Sequence, residues 1–127
     1  MSNHVRRGEE GFTLVEVLVA TVILVSVLMT VNSLLLNALT QVAVSKRASD
    51  AAAVAQRELE NLHGVAYAAV QSASRTETLG AHTYTVDRVV TDNDPQPNMK
   101  RITVTVSWNL QGARSYVAET IYVDVNK

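Results

Sequence analysis

FTLVEVLVATVILVSVLMTV, residues Phe12 to Val31, contains a single charge, Glu16, and from Val17 to Ser45 the chain carries no charged residue at all. About 20 residues at 1.5 Å each cover the roughly 30 Å hydrocarbon thickness of a bilayer, so this block predicts a membrane-spanning helix. A cleaved secretory signal is the alternative, but its apolar region runs only about 7 to 15 residues and ends at a small-residue cleavage site. This block is longer and lacks that ending. Ahead of it, MSNHVRRGEEG is short, polar and charged, and stops abruptly at Phe12. Arg6 and Arg7 precede the block while Lys46 and Arg47 follow it, which leaves the positive-inside rule nearly balanced. The free amino terminus beside the first arginine pair tilts the expectation toward a cytoplasmic N-terminus.

Helical character continues beyond the apolar block, because Phe12 to His63 contains neither Pro nor Gly. Ala48, Ala52, Ala55, Leu59 and Leu62 recur at steps of four and three, with Arg47, Asp50, Arg57, Glu58 and Asn61 off that stripe, which predicts an amphipathic second half. Gly64 is the expected stop, through the left-handed conformation that glycine tolerates. A helix of about 50 residues would be roughly 75 Å long. Half of it then needs cover from outside this chain's own core.

After a linker rich in Ser, Thr and Ala the period drops to two. In KRITVTVSWNL, residues Ile102, Val104, Val106, Trp108 and Leu110 share one face and Arg101, Thr103, Thr105, Ser107 and Asn109 the other, which defines a strand. A turn at Gln111 and Gly112 leads to RSYVAETIYVDV, read as the second arm of a hairpin with Val117, Ile121, Val123 and Val125 sharing an apolar face that Glu119 interrupts. Thr83 to Thr91 also has strand character, and DNDPQPN, residues Asp92 to Asn98, is a loop. The expected fold class is therefore α+β: a long N-terminal helix packed on a small antiparallel sheet of about three strands, the stripe from Ala48 to Leu62 covering its apolar face.

Composition closes off several function classes. Eleven basic against twelve acidic residues leave a net charge of -1, without the basic footprint that nucleic acid requires. There is no cysteine for a disulfide or thiolate metal site, and His4, His63 and His82 have no helical ligand spacing. The acidic run near Asp92 lacks the glycine and closing glutamate of a calcium loop. No nucleophile elbow or glycine-rich phosphate loop occurs, so neither an enzyme nor a cofactor is expected.

The junction Gly11-Phe12-Thr13-Leu14-Val15-Glu16 resembles the processing site of type IV pilin-like precursors: a short charged leader, a Gly-Phe junction, a glutamate five residues past it and a long uncharged helix. The resemblance implies that residues 1–11 are a leader. It implies that a prepilin peptidase cuts between Gly11 and Phe12 and that the Phe12 amine is then methylated. It further implies that Glu16 makes an assembly salt bridge with the N-terminal amine of a neighbouring subunit. Independently, a carboxylate in a spanning helix costs on the order of 2 to 3 kcal/mol toward the bilayer centre and calls for a partner. The alternative for Glu16 is a place at headgroup level, favoured by the helix dipole.

Residues 12–40 would form the membrane and filament-core helix and 41–127 a periplasmic pilin-like domain. Implied partners are the prepilin peptidase, other minor and major pilins or pseudopilins, and the inner membrane, with no nucleic acid bound directly. ASDAAAVAQRELENL and KRITVTVSW, with the last strand, are similar to PilV-type minor pilins and the I-type minor pseudopilin. Asn32 and Ser33 stand where many pilins have a helix-kinking proline, and the disulfide of many major pilins is impossible. Both departures favour a minor pilin of a type IV pilus, serving adhesion, twitching motility or DNA uptake. A minor pseudopilin of type II secretion is the alternative, and a single-pass anchored binding protein a remoter one.

Overall fold

The computed structural model describes Gly11 and residues 13–126. Its elements run as helix α1 (Leu14–Leu62), a short 3-10 turn (Tyr67–Ala69) and strands β1 (Ala73–Leu79), β2 (His82–Asp92), β3 (Met99–Asn109) and β4 (Ala113–Val123). The chain divides into two compact units between Thr40 and Gln41. The α+β architecture holds, with four strands in place of about three.

In the first unit α1 is apolar on every side and its side chains are exposed, among them Leu18, Leu24, Leu28 and Leu35. Its few hydroxyls turn inward on the helix itself. Thr21 donates to the Val17 carbonyl at 2.7 Å, Ser26 to Val22 at 2.8 Å, Thr30 to Ser26 at 2.9 Å, Ser33 to Met29 at 3.0 Å and Thr40 to Leu36 at 2.9 Å. Satisfied in this way, the hydroxyls make no demand on the surroundings, as hydrocarbon would require.

In the second unit the helix packs on the sheet. Ala51, Val54, Ala55 and Leu62 are buried with Val70, Tyr84, Val86, Ile102, Val104 and Val106 in one core. Fully burying a valine or isoleucine contributes roughly 1.5–3 kcal/mol, so these few side chains dominate this unit's stability. The buried stripe is turned by about one residue from the expected one. Ala55 and Leu62 belong to both, but Ala48, Ala52 and Leu59 are only half-buried, and Glu58, expected off the stripe, is 6% exposed. The helix ends where Gly64 predicts, by a different device. Gly64 is not among the positive-φ residues, and the chain instead tightens through a Val65 N–H to Leu62 carbonyl bond of 3.0 Å.

The sheet is an antiparallel meander in the order β1-β2-β3-β4. β3 alternates as its sequence predicts: Ile102, Val104 and Val106 are buried, and the residues between them are half-exposed. Trp108, next on that face, lies against the core and meets the Tyr84 ring at 6.1 Å between centroids. The β3–β4 turn is carried by Gln111 (φ 53) and Gly112 (φ 121), and the β2–β3 loop has Asn93 (φ 57) and Asn98 (φ 64) in the left-handed region that asparagine tolerates.

Two strand expectations are corrected. Ala73–Leu79, read as linker, is β1, paired with β2 from Ala73↔Arg88 to Leu79↔His82 across the two-residue turn Gly80-Ala81. In β4 the inward face is reversed. Val104 pairs with Ala118 and Ile102 with Thr120, so Ala118, Thr120 and Tyr122 share the core side. Val117, Ile121 and Val123 emerge on the opposite face, 44–53% exposed. A one-residue change of phase moves every side chain of a strand across the sheet, and β3's stronger alternation decides which phase wins.

Candidate functional site

The start of α1 is built by its own capping residues. Thr13 precedes the first helical residue, and its Oγ1 accepts a hydrogen bond from the Glu16 backbone N–H at 3.2 Å, while the Thr13 carbonyl receives the Val17 N–H at 3.1 Å. Thr-x-x-Glu is the sequence signature of a capping box, and the threonine half of the box is made. The reciprocal half is absent among the described residues, where the Glu16 carboxylate has neither a hydrogen bond nor an ion pair.

That leaves Glu16 in a singular position. From Leu14 to Val31 the polar side chains are Glu16, Thr21, Ser26 and Thr30, and the three hydroxyls all bond to carbonyls of the helix itself. The carboxylate in the first turn is the polar group of this apolar segment with no partner among the described residues. Glu16 is exposed on this helix, and only transfer of the segment into hydrocarbon would make its unpaired charge costly. Gly11 is exposed, and a Cβ built on it would meet nothing within 4 Å. Phe12 lies outside the described residues. Gly11 and Glu16 thus flank one helix start, and Thr13, missed in reading the sequence, is the residue that fixes where the helix begins.

A second set of polar residues sits in the other unit. Glu58 accepts from Arg75 Nη2 at 2.8 Å and Nε at 3.1 Å and from Arg88 Nη1 at 2.6 Å. Glu77 joins the network through Arg57 at 2.7 Å and Arg75 at 2.9 Å. The hydrogen bond from Arg75 to Glu58 holds that guanidinium's pKa above its usual value, against the opposing effect of burial. Lys100, 8% exposed, donates to the Val70 carbonyl at 3.1 Å and lies 3.2 Å from Asp92 and 4.7 Å from the centroid of the Tyr67 ring. Tyr122 hydroxyl donates to the Val65 carbonyl and its ring stacks near Tyr67 at 6.3 Å. These contacts bind β1 and the post-helix segment to the core. Glu58, Glu77, Arg57, Arg75 and Arg88 line a cavity of about 510 Å³ with both carboxylates held in ion pairs, and no group of three or more His, Asp or Glu residues gathers as metal ligands among the described residues.

Residues 6–31 match the family model described as the prokaryotic N-terminal methylation motif. The match supports the type IV pilin-like resemblance drawn from the same residues, and it stops short of the sheet. α1 contains a stretch near the N-terminus long and apolar enough to cross a membrane, which with the motif fits membrane anchoring. No curated protein and no solved structure matches the chain.

Proposed function

We propose that this chain is the precursor of a minor pilin, a structural subunit that helps initiate or cap a type IV pilus, and not an enzyme. In this reading a prepilin peptidase cuts between Gly11 and Phe12 and the new Phe12 amine is methylated. The helix of residues 12–40 then holds the protein in the inner membrane, with the N-terminus cytoplasmic and residues 41–127 in the periplasm, until it enters the filament among other pilins. The observation that carries the reading is the Glu16 carboxylate, which lies within the matched motif and, among the described residues, has no partner in the apolar stretch from Leu14 to Val31, whose three hydroxyls bond to the helix itself. Hydrolysis after Gly11 creates a cation in the same chemical setting, and in low dielectric an amine of a neighbouring subunit and this carboxylate attract far more strongly than at a wet surface. The lack of cysteine and the short connections, two residues at Gly80-Ala81 and three at Leu110–Gly112, support the minor over the major subunit.

The test is mass spectrometry of the protein recovered from cells with an active processing peptidase. A mature chain beginning at methylated Phe12 is expected. Intact protein with Met1–Gly11 still attached overturns the proposal.

A further inference from the structure

In the unit from Gln41 onward most lysines and arginines are neutralised by the fold itself. Arg57 pairs with Glu77, Arg75 and Arg88 with Glu58, Lys100 with Asp92, and Arg101 with Asp94. Lys46, Arg47 and Arg114 are the exceptions: none of them has a carboxylate partner among the described residues.

These three cations are not scattered. Arg47 contacts the ring of His82, which opens β2 directly after the Gly80-Ala81 turn, and Lys46 is its exposed neighbour on α1. Arg114 stands near the start of β4, where its Nε donates to the Leu110 carbonyl at 3.3 Å and so holds the guanidinium at the β3–β4 turn. In an antiparallel meander the first and third turns fall at the same end of the sheet, and the register Thr85↔Ser107↔Ser115 sets these two level. Residues 41–56, 78–86 and 105–118, which make up that half of the unit, include one acid, Asp50, and it already accepts from the Tyr84 hydroxyl at 3.4 Å. The carboxylates from Glu58 onward all lie outside those stretches. One end of the unit is therefore a rim of unpaired positive charge.

Position in the chain selects what this rim meets. Lys46 and Arg47 are the first charges after the uncharged run Val17 to Ser45, and α1 contains a stretch long and apolar enough to cross a membrane. Where such a helix leaves hydrocarbon, the dense anion within reach is the phosphate layer of the headgroups. Half-buried Trp108, the Cα partner of Arg114, and Tyr116, 39% exposed, stand on the same strands, and aromatic rings with a polar tip settle at that depth.

We propose that this rim docks on an anionic phospholipid surface, with Arg114 bringing the β3–β4 turn to the headgroups. Lys46 and Arg47 alone would only mark the end of a span. A third cation from far along the chain makes the folded unit itself a lipid-binding surface. The proposal rests on the anchoring of α1 in a membrane and is independent of the filament role.

The test places the full chain in nanodiscs of phosphatidylcholine, alone or mixed with phosphatidylglycerol, and follows amide hydrogen exchange. Phosphatidylglycerol is expected to slow exchange at residues 110–114 about tenfold and to leave the β2–β3 loop unchanged. Salt at about 1 M, where the screening length is about 3 Å, should remove the difference. Lys46→Gln and Arg114→Gln should each lower the ratio of docked to free protein about fivefold. The proposal is overturned by equal exchange in the two discs, by slowing that survives Arg114→Gln undiminished, or by equal slowing at the β2–β3 loop. A glutamate-rich peptide added to phosphatidylcholine discs should change nothing; slowing as large as that from phosphatidylglycerol overturns the proposal in favour of a protein partner. A chain that enters neither disc refutes the anchoring as well, whereas one that enters both without a difference refutes the docking alone.

Discussion

Replacing Glu58 by alanine should destabilise the folded unit from Gln41 onward by about 3 kcal/mol, the low end of the range for breaking a buried ion pair from one side. The size follows from which arginine is left behind. Arg75 side chain is 43% exposed and can turn to water, so its two bonds to Glu58 add no more than a surface pair does, about 0 to 1 kcal/mol. Arg88 is only 18% exposed and anchored by a 2.8 Å bond to the Gln71 carbonyl, so its guanidinium stays where it is, partly desolvated and without its 2.6 Å counter-charge. Glu58→Gln keeps the shape and an acceptor but removes the charge, and should cost roughly half as much, about 1 to 2 kcal/mol. Replacing Glu58 and Arg88 together by leucine should recover much of the loss, because no stranded charge remains. The assay is denaturant unfolding of the full chain in micelles, followed by the fluorescence of Trp108, the single tryptophan, which sits against the core beside Tyr84. For a unit of this size the alanine variant should melt about 10 °C or more below the parent. If both single variants unfold within about 0.5 kcal/mol of the parent, the ion pair is energetically idle and the reasoning fails.

Glu16→Ala should leave the protein in the membrane and reduce or abolish its entry into filaments; normal amounts in a sheared-filament fraction would rule out the pairing role. Ile102→Ala, which opens a cavity under the helix, should cost about 3 kcal/mol, while Val117→Ala on the outer face should stay within about 0.5 kcal/mol, and reversal of that order would refute the strand phase described above. The hydrogen bond from Arg101 holds the Asp94 carboxyl below its ordinary value of 3.8. A depressed folded-state pKa gives stability that is present above the unfolded value and lost as pH falls through the folded one. Asp94→Asn should therefore flatten part of the acid-side slope of an unfolding curve below about pH 4, and an unchanged slope would contradict this account.

What could be read from the residues depended on whether one force acted alone. The helix was legible because an apolar, Pro- and Gly-free run permits little else, and β3 because Ile102, Val104 and Val106 alternate strictly with polar residues. β1 was hidden because its core-facing side chains include Arg75 and Glu77, whose place is set by Glu58 and Arg57 on the distant helix. No local pattern announces such a strand. Glu58 itself was assigned to the wet side of the helix for the same reason: a charge is buried only when its partners arrive from elsewhere in the chain. β4 misled because its valines and isoleucine alternate in phase, yet pairing to β3 places the smaller Ala118 and Thr120 under the helix. At the candidate site, Gly11 and Glu16 were legible from spacing, whereas the Thr13 cap was overlooked although Thr-x-x-Glu stands in plain view.

The hydroxyls of Thr21, Ser26 and Thr30, each bonded to its own helix, give this segment a portable character. Moving it from acyl chains to a proteinaceous setting breaks no side-chain hydrogen bond and asks for no new one, so the transfer is nearly indifferent along most of its length. In the proposed assembly, discrimination between the two settings would fall to one carboxylate in the opening turn, a toll gate on an otherwise level road.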